Sequence, residues 1–177
     1  MQHTMTGAQS RPSVTGFEAF FMHHEPCVRR YLFTRGAHND VLEEAAQTTM
    51  EEALRSWDRL KDHPKPQAWL FTVAAQRHAK IYMEHWRLGE PTDPADFDQH
   101  LYDDATISCE ERLDLLRSLR ELPKQQRQAL VLRCLFDLPY EQVADVMGIQ
   151  PSSARGHVSR ALSHLAQMYD KEEGGCT

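Results

Sequence analysis

Cysteine is scarce, and the four present (Cys27, Cys109, Cys134 and Cys176) lie far apart with no C-x-x-C pair. That excludes a disulfide framework and a zinc knuckle as organising devices. No apolar run approaches the roughly 20 residues that a membrane-spanning helix needs. The polar stretch Met1 to Ser13 lacks the apolar centre of a signal peptide. A cytoplasmic chain with no membrane partner is therefore expected. Glycine is also sparse, and no glycine-rich phosphate loop, metal-ligand cluster or nucleophile–base pair is visible, so no enzyme activity, cofactor or metal is expected. Positive charge is short too. Against 26 Asp and Glu there are only 20 Lys and Arg, a net charge of -6. A nucleic-acid binder usually shows a basic excess, so any such role here must rest on a local patch. Candidate β-strands are missing altogether, which leaves an all-α fold.

What is present is helical periodicity, with a composition 41% hydrophobic and so able to bury a core. Residues 1–13 read as a disordered tail. Thr15 is a plausible N-cap, with Glu18 closing a capping box. Phe17, Phe20, Phe21, Val28, Tyr31 and Leu32 then form an aromatic buried stripe, and Gly36 to Asp40 reads as a turn. A second helix from about Asp40 to Trp57 turns Leu42, Ala46, Met50, Ala53, Leu54 and Trp57 inward. Glu43, Glu44, Gln47, Glu51 and Glu52 face outward, a pattern that fits helix-dipole stabilisation and also a basic partner. Two prolines make Arg59 to Pro66 a stiff loop. The next helix, about Gln67 to Arg87, sets Arg77, Lys80 and Arg87 against Glu84 alone, with Trp69 and Trp86 towards its ends. Charge beside aromatics suits melted or single-stranded nucleic acid, and it suits equally a helix with core tryptophans and solvated arginines.

From Gly89 to Ser108 the chain carries two prolines and six acidic residues but no lysine or arginine. Like charges repel and proline forbids helix, so this is an acidic flexible linker between two small helical domains, 14–88 and 109–170. In the second, a helix from about Cys109 to Glu121 (Leu113, Leu116 and Leu119 inward) breaks at Leu122-Pro123. Ala129, Leu130, Leu132 and Phe136 pack the one after it, and a frayed tail is expected over 171–177.

Between them lies the stretch with the sharpest signal. Val143, Ala144 and Met147 give a short helix one apolar face, Gly148 stops it, and Pro151 opens a second helix. There Ala154, Val158, Ala161 and Leu165 recur with helical spacing. Ser152, Gly156, Ser159 and Arg160 point the other way, with Arg155 and His157 on the flanks. Small groups and hydroxyls let a helix approach a major groove, and arginines reach guanine edges or phosphates. The pattern is a helix-turn-helix.

The order Leu122-Pro123, Arg127, Leu130, Leu132, Tyr140-Glu141-Gln142-Val143-Ala144, Gly148 and Arg160-Ala161-Leu162 resembles region four of the bacterial sigma-70 family. Glu43-Glu44-Ala45-Ala46-Gln47 and Ala68-Trp69-Leu70-Phe71-Thr72-Val73-Ala74 resemble its region two. With no room for a region three, the chain from about Phe17 to Gln167 is similar to the minimal extracytoplasmic-function branch of that family. The resemblance implies an alternative sigma factor that binds RNA polymerase core, recognises two promoter elements and starts transcription of a specific regulon. It implies minus-thirty-five contacts from Ser152, Ser153, Arg155, Gly156, His157, Ser159 and Arg160. It implies minus-ten contacts from the specificity-loop residues Lys61, His63 and Lys65, and from Trp69, Gln76, Arg77, Lys80 and Arg87. Glu43, Glu44, Gln47 and Glu51 would dock on the core, whose β and β′ subunits are the implied partners with promoter DNA. An anti-sigma factor is a further candidate partner.

Two rivals stay open on the residues alone. One is a stand-alone helix-turn-helix regulator with an N-terminal sensor bundle, using His23, His24 and Cys27. The other is a sigma-like decoy, suggested by Ala45, Ala46 and Gln76, which depart from the usual family residues.

Overall fold

The structure, a computed structural model, describes residues 16–37, 39–88, 118–119 and 121–174. Among these residues there are helices and turns and no strand. The N-terminal half holds α1 (Phe17–Thr34), α2 (Asn39–Arg55), the single turn α3 (Trp57–Leu60) and α4 (Pro66–Leu88). The C-terminal half holds α5 (Lys124–Leu130), extended by a π-type turn over Val131–Leu135, then α6 (Tyr140–Met147) and α7 (Pro151–Gly174).

Glycine ends the two helices whose exits matter most. Gly36 takes φ +91, the Gly36 N–H bonds the Phe33 carbonyl at 2.9 Å and the Ala37 N–H bonds the Leu32 carbonyl at 3.1 Å. Gly148 repeats the device at the end of α6, with φ +66 and the Ile149 N–H on the Ala144 carbonyl at 3.1 Å. These are Schellman closures, and they need a left-handed residue that glycine adopts without a Cβ clash. The second one sets the turn between the two helices of the helix-turn-helix.

Alanines let α2 and α4 approach closely: Ala45, Ala46 and Ala53 on one, Ala68 and Ala74 on the other, are buried. The buried Thr49 hydroxyl donates to the Ala45 carbonyl at 2.6 Å, so it adds no unsatisfied group. In the C-terminal half Ala129, Leu130 and Leu132 pack with Val143, Ala144 and Val146, and with Ala154, Val158 and Ala161 of α7. Each fully buried aliphatic of valine or leucine size stabilises by about 1.5–3 kcal/mol.

Several boundaries differ from the sequence expectation. Thr15 lies outside the described residues, and the capping box does not form: left-handed Gly16 precedes α1, with no side-chain cap. Phe21 is exposed, because it sits beside a groove between α1 and α2 instead of inside the core. Trp57 starts its own turn after the chain breaks helix at Ser56. At the C-terminus α7 runs on through Gly174, past the expected fraying point at Lys171. The linker at 89–108, Leu113 and Leu116 lie outside the described residues.

The two halves are not spaced apart. Tyr31 of α1 and Phe71 of α4, both fully buried, meet Phe136 at the end of the π-type turn, with ring centroids 4.6 Å apart for Phe71–Phe136 and 6.4 Å for Tyr31–Phe136. α4 also lies along α6.

Candidate nucleic-acid interface

The outward face of α7 is built as its spacing demands. Ala154, Val158 and Ala161 are buried, and Ser152, Ser153, Arg155, Ser159 and Arg160 are exposed on the other side, with Gly156 and His157 half-buried between. The Arg160 guanidinium bonds His157 Nδ1 at 3.3 Å and folds back over Gly156. A Cβ at position 156 would touch its Nη1 at 3.4 Å, so glycine keeps this part of the face low.

Arg155 is held differently. Its guanidinium lies over the Tyr140 ring, 4.9 Å from the centroid, and 3.9 Å from the Glu141 carboxylate. Arg133 lies over the same ring at 5.5 Å and bonds the Asp137 carboxylate at 2.7 Å. That carboxylate belongs to a residue in left-handed backbone (φ +49), where the chain turns from the π-type turn towards α6. Tyr140 therefore joins two cations at the mouth of the helix-turn-helix. The sequence reading missed this role. Its only signal was an aromatic residue at the first position of α6.

The N-terminal surface is less free. In the loop before α4 the Lys65 backbone N–H bonds His63 Nδ1 at 3.0 Å, Lys61 pairs with Asp58 at 3.7 Å, and the Lys65 ammonium reaches Asp145 of α6 at 3.5 Å. On α4, Arg77 pairs with Glu52 at 3.2 Å and Lys80 with Glu84 at 4.0 Å. Gln76 and Arg87 are exposed, but Trp69 is half-buried against the core. The open aromatic surface lies at the far end of the helix: Trp86 is 65% exposed and Tyr82 43% exposed, one helical turn apart. The +2 that composition gives this helix, with Glu84 already counted, is thus further offset by Glu52 of α2.

The acidic face of α2 is likewise cross-braced. Glu43 forms a two-pronged ion pair with Arg29, which also grips Glu25; these carboxylates raise the Arg29 pKa above its ordinary value and hold it charged. Gln47 donates to Glu51 at 3.1 Å, Glu51 pairs with Arg55 at 3.2 Å, and Glu44 lies 3.9 Å from His85. Between α1 and α2 runs a groove of about 350 Å³ floored by Phe17, Ala46 and Met50 and rimmed by Glu43 and Gln47. Ala45 and Ala46 are buried, so they serve helix packing and leave surface contact to their polar neighbours.

His23 and His24 adjoin, with ring centroids 4.7 Å apart, and the Cys27 thiol points to the His23 carbonyl at 3.8 Å. Burial and neighbouring His23 lower the His24 pKa. Among the described residues no three His, Cys, Asp or Glu side chains gather as a metal site, and no helix is long and apolar enough to cross a membrane.

The family models for sigma-70 region 2 and sigma-70 region 4 match residues 20–87 and 112–165. The RNA polymerase sigma factor CarQ of Myxococcus xanthus is 27% identical over 98% of this chain and 97% of its own length. The ECF RNA polymerase sigma factor ShbA of Streptomyces griseus is 30% identical, covering 84% of this chain and 85% of that one. Among solved structures, the sigma factor RpoE in complex with the anti-sigma factor NepR, from Bartonella quintana, superposes with a TM-score of 0.71 at 22% identity, over 89% of this chain and 98% of that one. That likeness is one of fold.

Proposed function

We propose an assignment of roles from one premise: the chain belongs to the extracytoplasmic-function branch of the sigma-70 family of RNA polymerase sigma factors. It is an alternative sigma factor, which binds core polymerase and promoter DNA and starts transcription, and sigma factors of this family are not enzymes. The N-terminal unit 14–88 takes the core and the minus-ten element, the C-terminal unit 109–170 takes the minus-thirty-five element, and 89–108 joins them. Ser152, Ser153, Arg155, Gly156, His157, Ser159 and Arg160 meet the minus-thirty-five major groove. Hydroxyls bond phosphate there, and arginine reads guanine.

Lys61, His63, Lys65, Trp69, Gln76, Arg77, Lys80 and Arg87 serve the minus-ten element. Tyr82 and Trp86 join them, because an exposed phenol and indole one turn apart beside Arg87 offer a stacking surface to unpaired bases. Trp69, half-buried, contributes mainly by holding α4 in place. Glu43, Gln47 and Glu51 line the groove between α1 and α2, and together with Glu44 they meet the β and β′ side of the core. The chain acts in the cytoplasm, where core polymerase and promoters are. An anti-sigma factor is a further partner, supported by the fold neighbour that is held by one.

The observation that carries the reading is the single exposed polar face of α7 opposite its buried alanines. In vitro transcription tests it: purified protein, bacterial core polymerase and a supercoiled library of genomic promoter fragments. Discrete transcripts that need the protein, and disappear with Arg155→Ala/Arg160→Ala, are expected. Core binding without any transcript would make the chain a decoy. Sequence-specific DNA binding without core binding would favour the stand-alone regulator.

A further inference from the structure

We infer that His157 and Gly156 together set the register in which the minus-thirty-five element is read. The histidine lays the Arg160 guanidinium across the glycine, so Arg160 reads a guanine on the base pair opposite residue 156 and not on the one opposite its own turn. The inference deepens the sigma-factor reading and rests on it. What it adds is a positioning residue, His157, which acts through the reading arginine.

Three atoms of the Arg160 guanidinium, Nη1, Nη2 and Cζ, lie 3.4, 3.6 and 3.8 Å from where a Cβ at position 156 would stand. The group therefore rests against the helix at van der Waals range, in a place that is open because residue 156 has no side chain. Helical side chains lean towards the N-terminus over the preceding turn, so residue 160 is the one able to cover position 156. A long flexible stem does not by itself choose that resting place. The bond to His157 does: Arg160 Nη2 donates to Nδ1 at 3.3 Å, three residues back on the same face. Arginine offers no acceptor, so Nδ1 is the bare nitrogen of the pair and the ring proton sits on Nε2. His157 is half-buried and Arg160 exposed, which makes the ring the fixed partner.

The size of the displacement decides that this matters. One helical turn is about 5.4 Å and stacked bases are about 3.4 Å apart, so laying the head back by a turn moves its contact by about one base pair. His157 occupies one of the N–H donors of the guanidinium, and the donors left on Nη1 and Nη2 suit O6 and N7 of guanine. The other arginine of this face does not compete for the place. Arg155 is held over the Tyr140 ring and beside Glu141, which leaves the ground above Gly156 to Arg160.

The test is a binding selection on promoter duplexes with a randomised minus-thirty-five element, run with holoenzyme and, at low salt, with the full chain alone. Sequencing gives the base preference at each position as a ratio within one sample, and transcription is assayed with the same holoenzyme. Wild-type protein should favour guanine about 5–150-fold at one position, and Arg160→Ala should abolish that preference. His157→Leu, which keeps bulk but offers no acceptor, should reduce it about 2–10-fold or move it to the neighbouring position. His157→Asn, whose Oδ1 stands where Nδ1 does, should restore it to within about twofold of wild type. Gly156→Leu, which fills the resting place of the guanidinium and leaves residue 157 alone, should weaken or move the same preference. A guanine preference independent of Arg160 would overturn the inference, as would one that His157→Leu or Gly156→Leu leaves at its wild-type value and position. So would an asparagine variant that behaves like the leucine one, or a selection with no enriched position in either sample. If holoenzyme starts no transcript, the sigma reading has failed, while the selection by the full chain alone still decides whether His157 directs Arg160.

Discussion

Helices α4 and α7 are both assigned to DNA, and they present themselves in opposite ways. On α7 the apolar side is sunk among its neighbours and the polar side stands clear, with arginines braced by a tyrosine and a histidine. On α4 the cations are shared with carboxylates, Arg77 with Glu52 and Lys80 with Glu84, and what stands clear is aromatic. The difference suits the two forms of DNA. A duplex groove is read by hydrogen bonds from preset donors. A melted strand offers base faces, for which a flat exposed ring is the fitting partner.

That contrast can be broken most forcefully at Arg155 and Arg160. Each alanine variant should cost about 1–3 kcal/mol in binding a minus-thirty-five duplex, measured by anisotropy with an isolated duplex, and should leave holoenzyme binding to the minus-ten strand of a pre-opened template unchanged. Trp86→Ala should act on the opposite limb, weakening open-complex formation by about 1–3 kcal/mol without moving the melting temperature. Trp69→Ala should lower the melting temperature as well, because its ring is packed against the core. If both tryptophans behave alike, the distinction drawn here between holding and stacking is wrong.

Smaller effects sharpen the picture of α7. Tyr140→Leu should cost about 0.5–1 kcal/mol in minus-thirty-five affinity by releasing Arg155, and Tyr140→Phe, which keeps the ring, should cost little. Gly156→Ala should raise stability to urea by about 0.5–1 kcal/mol, since glycine inside a helix is unfavourable and the added methyl meets only the mobile end of Arg160. DNA affinity should fall in the same variant if close approach to the groove is the reason for glycine.

The smallest prediction concerns His24, whose buried Nδ1 has no hydrogen-bond partner among the described residues. Its folded pKa lies below the ordinary value, so the unfolded chain takes up the proton first. Stability should therefore fall as pH drops from above about 6.5, and His24→Gln should flatten that limb of a urea-stability profile.

Local pattern carried much of this into the sequence. The period of Ala154, Val158 and Ala161, the stop at Gly148 and the breaks at Leu122-Pro123 and Gly36 mark α7 and its neighbours without any knowledge of tertiary contacts. What escaped was long-range. Tyr31 and Phe136 read as core and Phe71 only as part of the stretch resembling region two, and periodicity cannot say that the three form one cluster across the two halves. The neutralisation of Arg77 by Glu52, 25 residues away, is equally invisible to composition. Trp69 and Trp86 look alike on a helical pattern and differ only in what lies beside them.

The central claim is that each of these helices meets its own promoter element, and site-directed photo-crosslinking of the open complex tests it most directly. A photoreactive phenylalanine replaces Ser159 in one holoenzyme and Trp86 in another, and the linked bases are mapped on a promoter found by transcription. Links from position 159 confined to the minus-thirty-five duplex, and from position 86 to the melted minus-ten strand, are the predicted result. Links from position 86 to the minus-thirty-five element, or no DNA links from position 159, would contradict it.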